Sequence, residues 1–301
     1  MPDVSASLPS ATKQNTATIA GLGAIALWSA LAALTVLAGK IPPFELTAIA
    51  FAGGTVVGLV YAVASGQSLA AMRNVPPAAW VLGIGGLLGY HACYFMALRI
   101  APPLEASLIC YLWPLLMILM AGALPVHAGG KPLRWQHIAG AVLGFAGTTL
   151  ILFQGHGRLD FDGALVGYLL AFAAAVIWSS YSVASRLFRR VPSIAVIGSC
   201  AGTMIGAAAM HASLETWVWP QSATQWFAII ALGAGPLGLA FYLWDQAMKH
   251  GDLLRLGLAS YATPLLSTLI LATLGLGVLS PMLAAAAVLV TLGAVVAGRA
   301  S

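Results

Sequence analysis

Long apolar runs, each close to the roughly 20 residues that a helix needs to cross a bilayer, recur along the whole chain. Short breaks rich in proline, glycine and charge separate them, such as KIPPFE, RIAPPLE and RRVPS. Charged residues make up only 7% of the 301 residues, whereas soluble proteins average roughly 25%. Membrane-spanning barrel strands would instead give short alternating segments. The sequence therefore predicts an all-α integral membrane protein.

The apolar runs predict ten transmembrane helices joined by loops too short to hold a soluble domain. The predicted helices span residues 18–39, 45–64, 79–98, 104–124, 136–153, 163–186, 193–211, 224–247, 254–276 and 281–298. The polar, Ser/Thr-rich residues 1–17 are predicted to form a disordered tail, because they lack the basic start and apolar core of a signal peptide.

Positive charge lies mainly on one side of this arrangement. Ten spans place both termini on the same side, together with ten basic residues, which are Lys13, Arg73, Lys131, Arg134, Arg186, Arg189, Arg190, Lys249, Arg255 and Arg299. The opposite side carries only Lys40, Arg99 and Arg158. Since cytoplasmic loops hold the excess of Lys and Arg, both termini are predicted to be cytoplasmic, in an inner or plasma membrane. This placement explains the net charge of +5 without a nucleic-acid partner.

The two halves of the sequence resemble each other at an offset of 150 residues. The matching segments are YLWPLL (111–116) with YATPLL (261–266), and Trp28-Ser29 with Trp178-Ser179. Each half, 18–153 and 163–298, is predicted to hold five helices, and because five is odd the second half enters the membrane inverted. Inverted repeats are a common build for secondary transporters, whose substrate site lies near the midplane between the repeats.

The sequence resembles the drug/metabolite transporter superfamily, in its ten-helix form with two EamA-type repeats. The resemblance rests on GYHACYFMALRIAPPLEASLICYLWPLL (89–116), on AFYLWDQAMKHGDLLRLGLASYATPLLSTL (240–269) and on the two Trp-Ser pairs. Within the superfamily it is most similar to exporters of aromatic amino acids, chiefly at LWDQAMKHGD and SYATPLLSTL. This resemblance implies a ten-helix inverted-repeat fold and a central cavity lined by helices 1, 3, 4, 6, 8 and 9.

Aromatic and small polar residues in those helices are the candidates for substrate binding. An aromatic lining favours planar ligands and can hold an ammonium group over a ring face. The aromatic candidates are Trp28, Tyr90, Tyr94, Tyr111, Trp178, Tyr181, Phe241, Trp244 and Tyr261. An amino acid also needs polar partners, for which the candidates are Ser29, His91, Tyr111, Ser179, Ser182 and Ser260. Plain helix packing is the alternative for each of the aromatic residues.

Ionisable residues within the predicted spans are few, and such residues are functional candidates by default. His91, in the middle of the third helix, and Glu105, at the outer end of the fourth, are candidates for proton coupling. Each has a structural alternative: a histidine satisfied within the core, and a carboxylate favoured by the helix dipole near Arg99. Asp245 and Lys249, four residues apart, are predicted to form an ordinary helix ion pair.

Pro114 interrupts a long apolar run, and Pro264 lies at the matching place in the second half. Proline removes a backbone donor and clashes with the preceding turn, so both helices are predicted to kink there. Paired interruptions at corresponding positions are typical of transporter binding sites. We therefore expect two hinges that bring Tyr111 and Tyr261 toward a central cavity, with a purely structural kink as the alternative.

Catalytic and nucleotide-binding patterns are missing from the sequence. It contains neither HExxH nor GxSxG, and no GxxxxGK[ST] motif for ATP. The cysteines Cys93, Cys110 and Cys200 lack metal-ligand spacing and are predicted to be inert fillers. We therefore expect neither an enzyme nor a metal or cofactor, and transport energy must come from a gradient or from downhill movement of the substrate.

The sequence thus favours a secondary transporter that moves a small molecule across the bilayer by alternating access. Because no acidic or basic pair is predicted deep in a span, aromatic or other neutral amphipathic amino acids are the expected substrates. Export, as opposed to import, is implied only by the resemblance. The alternatives are an exporter of drugs or organic cations, or a channel-like facilitator. A monomer is expected, with a dimer through helices 5 and 10 as the alternative.

Overall fold

The computed structural model describes residues 10–125, 128, 130, 132–153, 164–276 and 280–299. Within these ranges the chain is helical and contains no strand. The α-helices are α1 (Ala11–Ser29), α2 (Leu31–Ala38), α3 (Pro43–Ala64), α4 (Pro77–Ile100), α5 (Pro103–Cys110), α6 (Trp113–Ala123), α7 (Trp135–Phe153), α8 (Leu165–Ala184), α9 (Ala195–Leu214), α10 (Ala223–Ala234), α11 (Ala240–His250), α12 (Leu253–Ala259), α13 (Ala262–Thr273) and α14 (Pro281–Gly298).

Among the described residues, eight helical segments are long and apolar enough to cross a membrane, and several of them join two consecutive helices end to end. They are Ala11–Ala38, Pro43–Ala64, Pro77–Ile100, Glu105–Ala123, Leu165–Phe188, Ala195–Leu214, Ala223–His250 and Leu253–Thr273. The remaining two predicted spans, 136–153 and 281–298, correspond to α7 and α14, which are not among these eight. The prediction of a multi-pass helical membrane protein is confirmed, while the count of ten spans stays a prediction.

The first helix begins earlier than the sequence predicts. Ser10 caps α1 by accepting a hydrogen bond from the backbone N–H of Lys13, at 3.4 Å. Residues 11–17 therefore belong to the helix, and the prediction that they form part of a disordered tail is wrong. Residues 1–9 of that tail, together with Lys131 and Arg158, lie outside the described residues.

The predicted helices 4 and 9 are interrupted near their prolines, in addition to the breaks in helices 1 and 8. The fourth divides into α5 and α6 around Tyr111, and the ninth divides into α12 and α13 around Ser260. Pro114 is the second residue of α6 and Pro264 is the third residue of α13, where the missing N–H would have had no partner within the helix. Each proline thus begins a new helical segment, and the breaks lie just before the prolines.

Close contacts at small residues hold the helices together, as is usual in lipid. A Cβ added at Gly53 would meet the backbone of Gly233, so α3 and α10 approach closely. Gly140 of α7 and Gly293 of α14 lie against each other in the same way. Helix α4 packs against α8 and α9, and α1 packs against α11. These pairs bring the aromatic residues of α1, α4, α8 and α11 into one region.

Candidate substrate site

A cavity of about 160 Å³ lies among six of the eight candidate membrane spans. Its wall is formed by Trp28, Leu31, Tyr90, His91, Tyr94, Ser107, Cys110, Tyr111, Trp113, Trp178, Leu237, Phe241 and Thr263. These residues come from the spans that correspond to the predicted helices 1, 3, 4, 6, 8 and 9. Residues from every helix that the resemblance assigns to the cavity therefore meet here.

Stacked and edge-on aromatic rings make up one side of this cavity. The ring of Trp28 lies 5.5 Å from that of Trp178 and 6.0 Å from that of Phe241, measured between ring centroids. Trp113 approaches Trp178 edge-on at 6.2 Å. Trp28 is held in place by its indole N–H, which donates to the backbone carbonyl of Pro236 at 2.9 Å.

The carbonyl that receives this hydrogen bond belongs to a π-helical segment, Gly235–Leu239, between α10 and α11. Segments of this kind are rare and occur frequently at functional sites. Leu237 of the same segment lines the cavity. The irregular backbone thus contributes both a wall residue and the hydrogen-bond acceptor that orients Trp28.

Helix α4 supplies three wall residues, Tyr90, His91 and Tyr94, which lie within little more than one helical turn. Tyr90 and Tyr94 stack with ring centroids 5.9 Å apart, and Tyr90 lies 5.3 Å from Trp178. The spacing of four residues places both tyrosines on the same helix face. The Tyr94 hydroxyl shares a hydrogen bond with Ser107 Oγ at 3.0 Å, which ties α4 to α5.

His91 lies between the two tyrosines, buried among rings. Its Nδ1 is 2.7 Å from the carbonyl of Leu87, and since a carbonyl only accepts, Nδ1 carries the proton. In a neutral imidazole Nε2 is then an acceptor. The rings of Phe51 and Phe241 lie 5.1 and 6.4 Å away. His91 therefore offers the cavity one polar atom within an apolar frame.

The cavity wall is uncharged. Of the described residues, no Asp, Glu, Lys or Arg side chain lines it. A ligand that carried an unbalanced charge would lose its hydration here without gaining an oppositely charged partner, which is costly. The arrangement favours planar, amphipathic ligands, and any charged group they carry can be met only by ring faces or by neutral hydrogen-bonding groups of the wall.

Seven of the residues predicted to bind substrate lie off this wall: Ser29, Ser179, Tyr181, Ser182, Trp244, Ser260 and Tyr261. Three of the serines bond to backbone carbonyls, as Ser and Thr within helices commonly do. Ser29 Oγ donates to Ile25 O at 2.9 Å and Ser260 Oγ to Leu256 O at 2.7 Å. Ser179 Oγ lies 2.8 Å from the carbonyl of Trp113 and 2.7 Å from that of Ala175.

The aromatic residues of this group form a supporting layer behind the wall. Trp244 is fully buried, with its ring 4.9 Å from that of Trp28, and it donates from Nε1 to Ser182 Oγ at 3.1 Å. Tyr261 is 1% exposed and packs against Gly144 of α7. Only Tyr111 of the expected pair of tyrosines reaches the cavity.

Glu105 also lies away from the cavity. It is buried in the first turn of α5, where its Oε2 accepts a hydrogen bond from the hydroxyl of Tyr168. Arg99, the expected neighbour of this carboxylate, instead pairs with Glu215 at 2.9 Å. The position fits a carboxylate at a helix start, which the N-terminal end of the dipole favours.

A second and smaller cavity, of about 30 Å³, lies beside Tyr181. Its wall includes Asp245 and Lys249, whose side chains form the predicted ion pair at 2.7 Å. Ser193 donates to the same carboxylate oxygen at 2.6 Å. Lys249 Nζ also donates to the carbonyl of Val191 at 2.9 Å, so the pair joins α11 to the segment before α9. The prediction of an ordinary helix pair is confirmed.

Comparison with known proteins decides the family. The model of the EamA-like transporter family matches residues 15–153 and again residues 165–299. The chain belongs to the EamA-like transporter family. The resemblance stated above is thereby confirmed, and membership of a family of transporters agrees with the prediction that the chain is not an enzyme.

Relatives of this EamA-like transporter carry the name aromatic amino acid exporter YddG, among them proteins of Ancylobacter novellus and Escherichia coli. The protein of Ancylobacter novellus is 49% identical over 285 residues, which cover 94% of this chain and 97% of that exporter. The protein of Escherichia coli is 28% identical over 280 residues, covering 86% and 88%. A solved crystal structure that is 48% identical matches with a TM-score of 0.88 and covers 95% of this chain and 98% of that one.

Six wall residues of this EamA-like transporter were not among the sequence candidates: Leu31, Ser107, Cys110, Trp113, Leu237 and Thr263. The internal offset of 150 residues is the signal that relates two of them, Trp113 and Thr263, to each other. Trp113 and Thr263 both line the cavity at that offset, as do His91 and Phe241, and Trp28 and Trp178. Cys110, expected to be an inert filler, also lines the wall and lies 3.8 Å from the Tyr90 hydroxyl.

Proposed function

We propose that this protein is a secondary transporter that exports aromatic or other neutral amphipathic amino acids by alternating access. The observation that carries the proposal is the uncharged cavity, in which seven of the thirteen wall residues are Phe, Tyr or Trp. Such walls bind planar apolar groups by stacking and edge-on contacts. The names of the two YddG relatives support both the substrate class and the direction.

The polar ends of an amino acid would be held by neutral groups on the same wall. The faces of Trp28 and Trp178 suit an ammonium group, since ring faces attract cations. His91 Nε2 supplies an acceptor, and the hydroxyl of Tyr111 supplies a donor. The Thr263 hydroxyl is buried with no hydrogen-bond partner among the described residues, so a carboxylate there would satisfy it.

The size of the cavity implies movement during the cycle. Pockets for small ligands occupy roughly 300 Å³ or more, whereas this cavity measures about 160 Å³. Wall side chains or helix segments must therefore shift to admit an aromatic amino acid. The interruptions before Pro114 and Pro264 let the two parts of each span move separately, and we assign the hinges of alternating access to them.

The proposed architecture is ten spans in two inverted five-helix repeats, 18–153 and 163–298. The two successive family matches, of similar length, support this division. The three pairs of wall residues at the 150-residue offset support a site between the repeats. The charge distribution described above supports an inner membrane with both termini in the cytoplasm.

Proton coupling through His91 or Glu105 stays a prediction. The recorded neighbours of His91 are aromatic rings and one carbonyl, a setting that favours contact with the substrate over transfer of a charge. Glu105 is more suited to coupling by chemistry but lies off the wall. We propose a monomer, with a dimer through α7 and α14 as the alternative.

The test is uptake of radiolabelled Phe, Tyr and Trp by proteoliposomes containing the purified protein. We expect saturable flux that is stimulated by unlabelled substrate on the opposite side. Tyr94→Phe removes the hydroxyl that bonds Ser107 and should raise the half-saturation concentration. Tyr61→Phe, which changes an exposed tyrosine outside the cavity, is the matched control and should leave transport unchanged.

Two outcomes would redirect the proposal. An uncharged aromatic wall also suits an aromatic organic cation, because ring faces attract cations. Transport of such a cation without transport of aromatic amino acids would therefore favour the drug-exporter alternative. Flux that rises linearly with concentration, without counter-substrate stimulation, would favour a channel-like facilitator. Flux equal to that of empty liposomes for all these compounds would refute a carrier for amphipathic molecules.

A further inference from the structure

The small cavity beside Tyr181 and the main cavity of about 160 Å³ share three helices, α4, α8 and α11. On α8, Trp178 lines the main cavity, and Tyr181 and Ser185 line the small one. On α11, Phe241 lines the main cavity and Asp245 lines the small one, about one turn further along. Residues spaced by three or four share a helix face, so one face of α8 and one face of α11 border both cavities.

The side chain of Tyr181 separates the two cavities. Its ring centroid is 5.4 Å from that of Trp178, which lines the main cavity, while Tyr181 itself lines the small one. Helix α4 packs against the same ring at Gly86, where an added Cβ would lie 2.6 Å from it. Gly86 lies between Gly83, on the small cavity, and Tyr90, on the main one. Tyr181 therefore fills the space between α8 and α4 at the level between the cavities.

The wall of the small cavity carries charge. It includes the ion pair of Asp245 and Lys249. The hydroxyl-bearing residues Ser185 and Ser199 lie on the same wall. Among the described residues, Lys249 Nζ uses two of its three N–H donors, one to Asp245 and one to the carbonyl of Val191. The space of about 30 Å³ exceeds the roughly 10–15 Å³ that a water molecule needs, so a polar group fits beside the pair.

The small cavity lies beside the basic segment between α8 and α9. Phe188 and Val191 of that segment line the cavity, and Arg186, Arg189 and Arg190 belong to the same segment. Since cytoplasmic loops hold the excess of Lys and Arg, the orientation proposed above places this cavity toward the cytoplasm. In that orientation an exported molecule enters the protein from this side.

We propose that the small cavity is the inner section of the substrate path, and that Tyr181 is the partition that moves to connect it with the main cavity. Lys249 donates to the carboxylate of the entering amino acid, and Asp245 accepts from its ammonium group, because charge-assisted hydrogen bonds are the strong ones. The aromatic ring of the amino acid then reaches the aromatic wall of the main cavity. The inference rests on the function proposed above. At about 30 Å³ the section is closed to an amino acid in this structure and widens during the cycle.

Inhibition of phenylalanine transport by analogues that lack one charged end tests the proposal. Phenethylamine has no carboxylate and hydrocinnamate has no ammonium group, and each is added on the inner side of proteoliposomes that contain the full-length protein. Asp245→Asn removes the partner of the ammonium group, so phenethylamine should inhibit about tenfold less while hydrocinnamate inhibits at least as well. Lys249→Gln removes the partner of the carboxylate and should give the reverse pattern.

Arg255→Gln is the matched control, because it removes an exposed cation of α12 that lines neither cavity. It should leave inhibition by both analogues unchanged. Equal effects on the two analogues in Asp245→Asn and Lys249→Gln would mark the ion pair as purely structural and overturn the proposal. Failure of both analogues to inhibit the wild-type protein would do the same. In either case, saturable phenylalanine flux leaves the proposed function standing, whereas wild-type flux equal to that of empty liposomes overturns both.

Access of a thiol reagent tests the path where the charge variants give no folded protein. In a protein whose three cysteines are replaced by alanine, Ser199→Cys places a thiol on the small cavity. Thr203→Cys places one a turn further along α9, at a fully buried position that lines neither cavity. A water-soluble thiosulfonate added on the inner side during transport should modify Ser199→Cys and block flux, and should leave Thr203→Cys unmodified. Equal modification of the two variants, or none of Ser199→Cys, would overturn the proposal.

Discussion

Gly86 sits where α4 crosses α8, and replacing it tests whether the packing of these two helices determines the cavity. A Cβ at this position would lie 2.6 Å from the ring of Tyr181 and 2.7 Å from the Tyr181 Cβ, whereas ordinary contact begins at 3.4 Å. The helices must therefore separate by about 0.8 Å, the difference between 3.4 and 2.6 Å. Rotation of the ring cannot relieve this, since the Tyr181 Cβ is part of the clash.

The neighbouring residue provides a matched control. A Cβ at Gly85 would meet nothing within 4 Å, so Gly85→Ala changes only the helix propensity. Alanine is favoured over glycine in a helix by about 1 kcal/mol, and this gain is common to both variants. Overpacking costs about 1–3 kcal/mol and applies only to Gly86→Ala. The difference in stability between the two variants therefore isolates the overpacking cost, and we expect about 1–3 kcal/mol.

The assays are thermal unfolding in detergent and binding of labelled aromatic amino acids. Gly86→Ala should melt below Gly85→Ala and bind more weakly, because α4 carries Tyr90, which lies 5.3 Å from Trp178 of α8. Equal melting temperatures and equal affinities for the two variants would refute the view that this crossing determines the cavity.

Three further substitutions examine the wall and the hinges. Trp28→Phe keeps a ring but removes the donor to Pro236, and at about 1 kcal/mol for a hydrogen bond substrate binding should weaken about fivefold in equilibrium dialysis. His91→Gln should weaken binding while leaving the response of flux to an imposed pH gradient unchanged; an altered response would return His91 to a coupling role. Pro114→Ala supplies an N–H that can bond across the interruption to the carbonyl of Cys110, the last residue of α5, so the two parts of the span should move less freely. Transport should therefore slow while binding is retained, and an unchanged transport rate would exclude a hinge at this position.

Much of the fold follows from the sequence because lipid allows few choices. Backbone groups inside a bilayer must be satisfied within the segment, so a long apolar run becomes a helix. This rule predicts the eight spans that the structure shows. The interruptions near Pro114 and Pro264 follow because proline lacks the backbone donor that a continuous helix needs. The resemblance to the family, which the family match confirms, also implied which six helices supply the cavity wall.

The sequence could not tell which face of each helix reaches the cavity. Trp28 and Ser29 are adjacent, yet Trp28 lines the cavity while Ser29 bonds to its own helix. Neighbouring residues in a helix point about 100° apart, so a small rotation of the helix exchanges them. That rotation is set by packing at positions such as Gly86, where contact with Tyr181 is tight.

By itself, therefore, the sequence determined a helical membrane protein of the EamA-like family, the interruptions near Pro114 and Pro264, and the aromatic character of the cavity wall. Only the tertiary structure decided that Trp113 and Thr263 belong to the wall and that Trp244 supports it from behind. It also brought Glu45 and His211, 166 residues apart in the chain (211 − 45), to one buried cluster. Each segment becomes a helix because lipid offers its backbone groups no other hydrogen-bond partners. The contacts between helices, by contrast, depend on how all of their surfaces pack together.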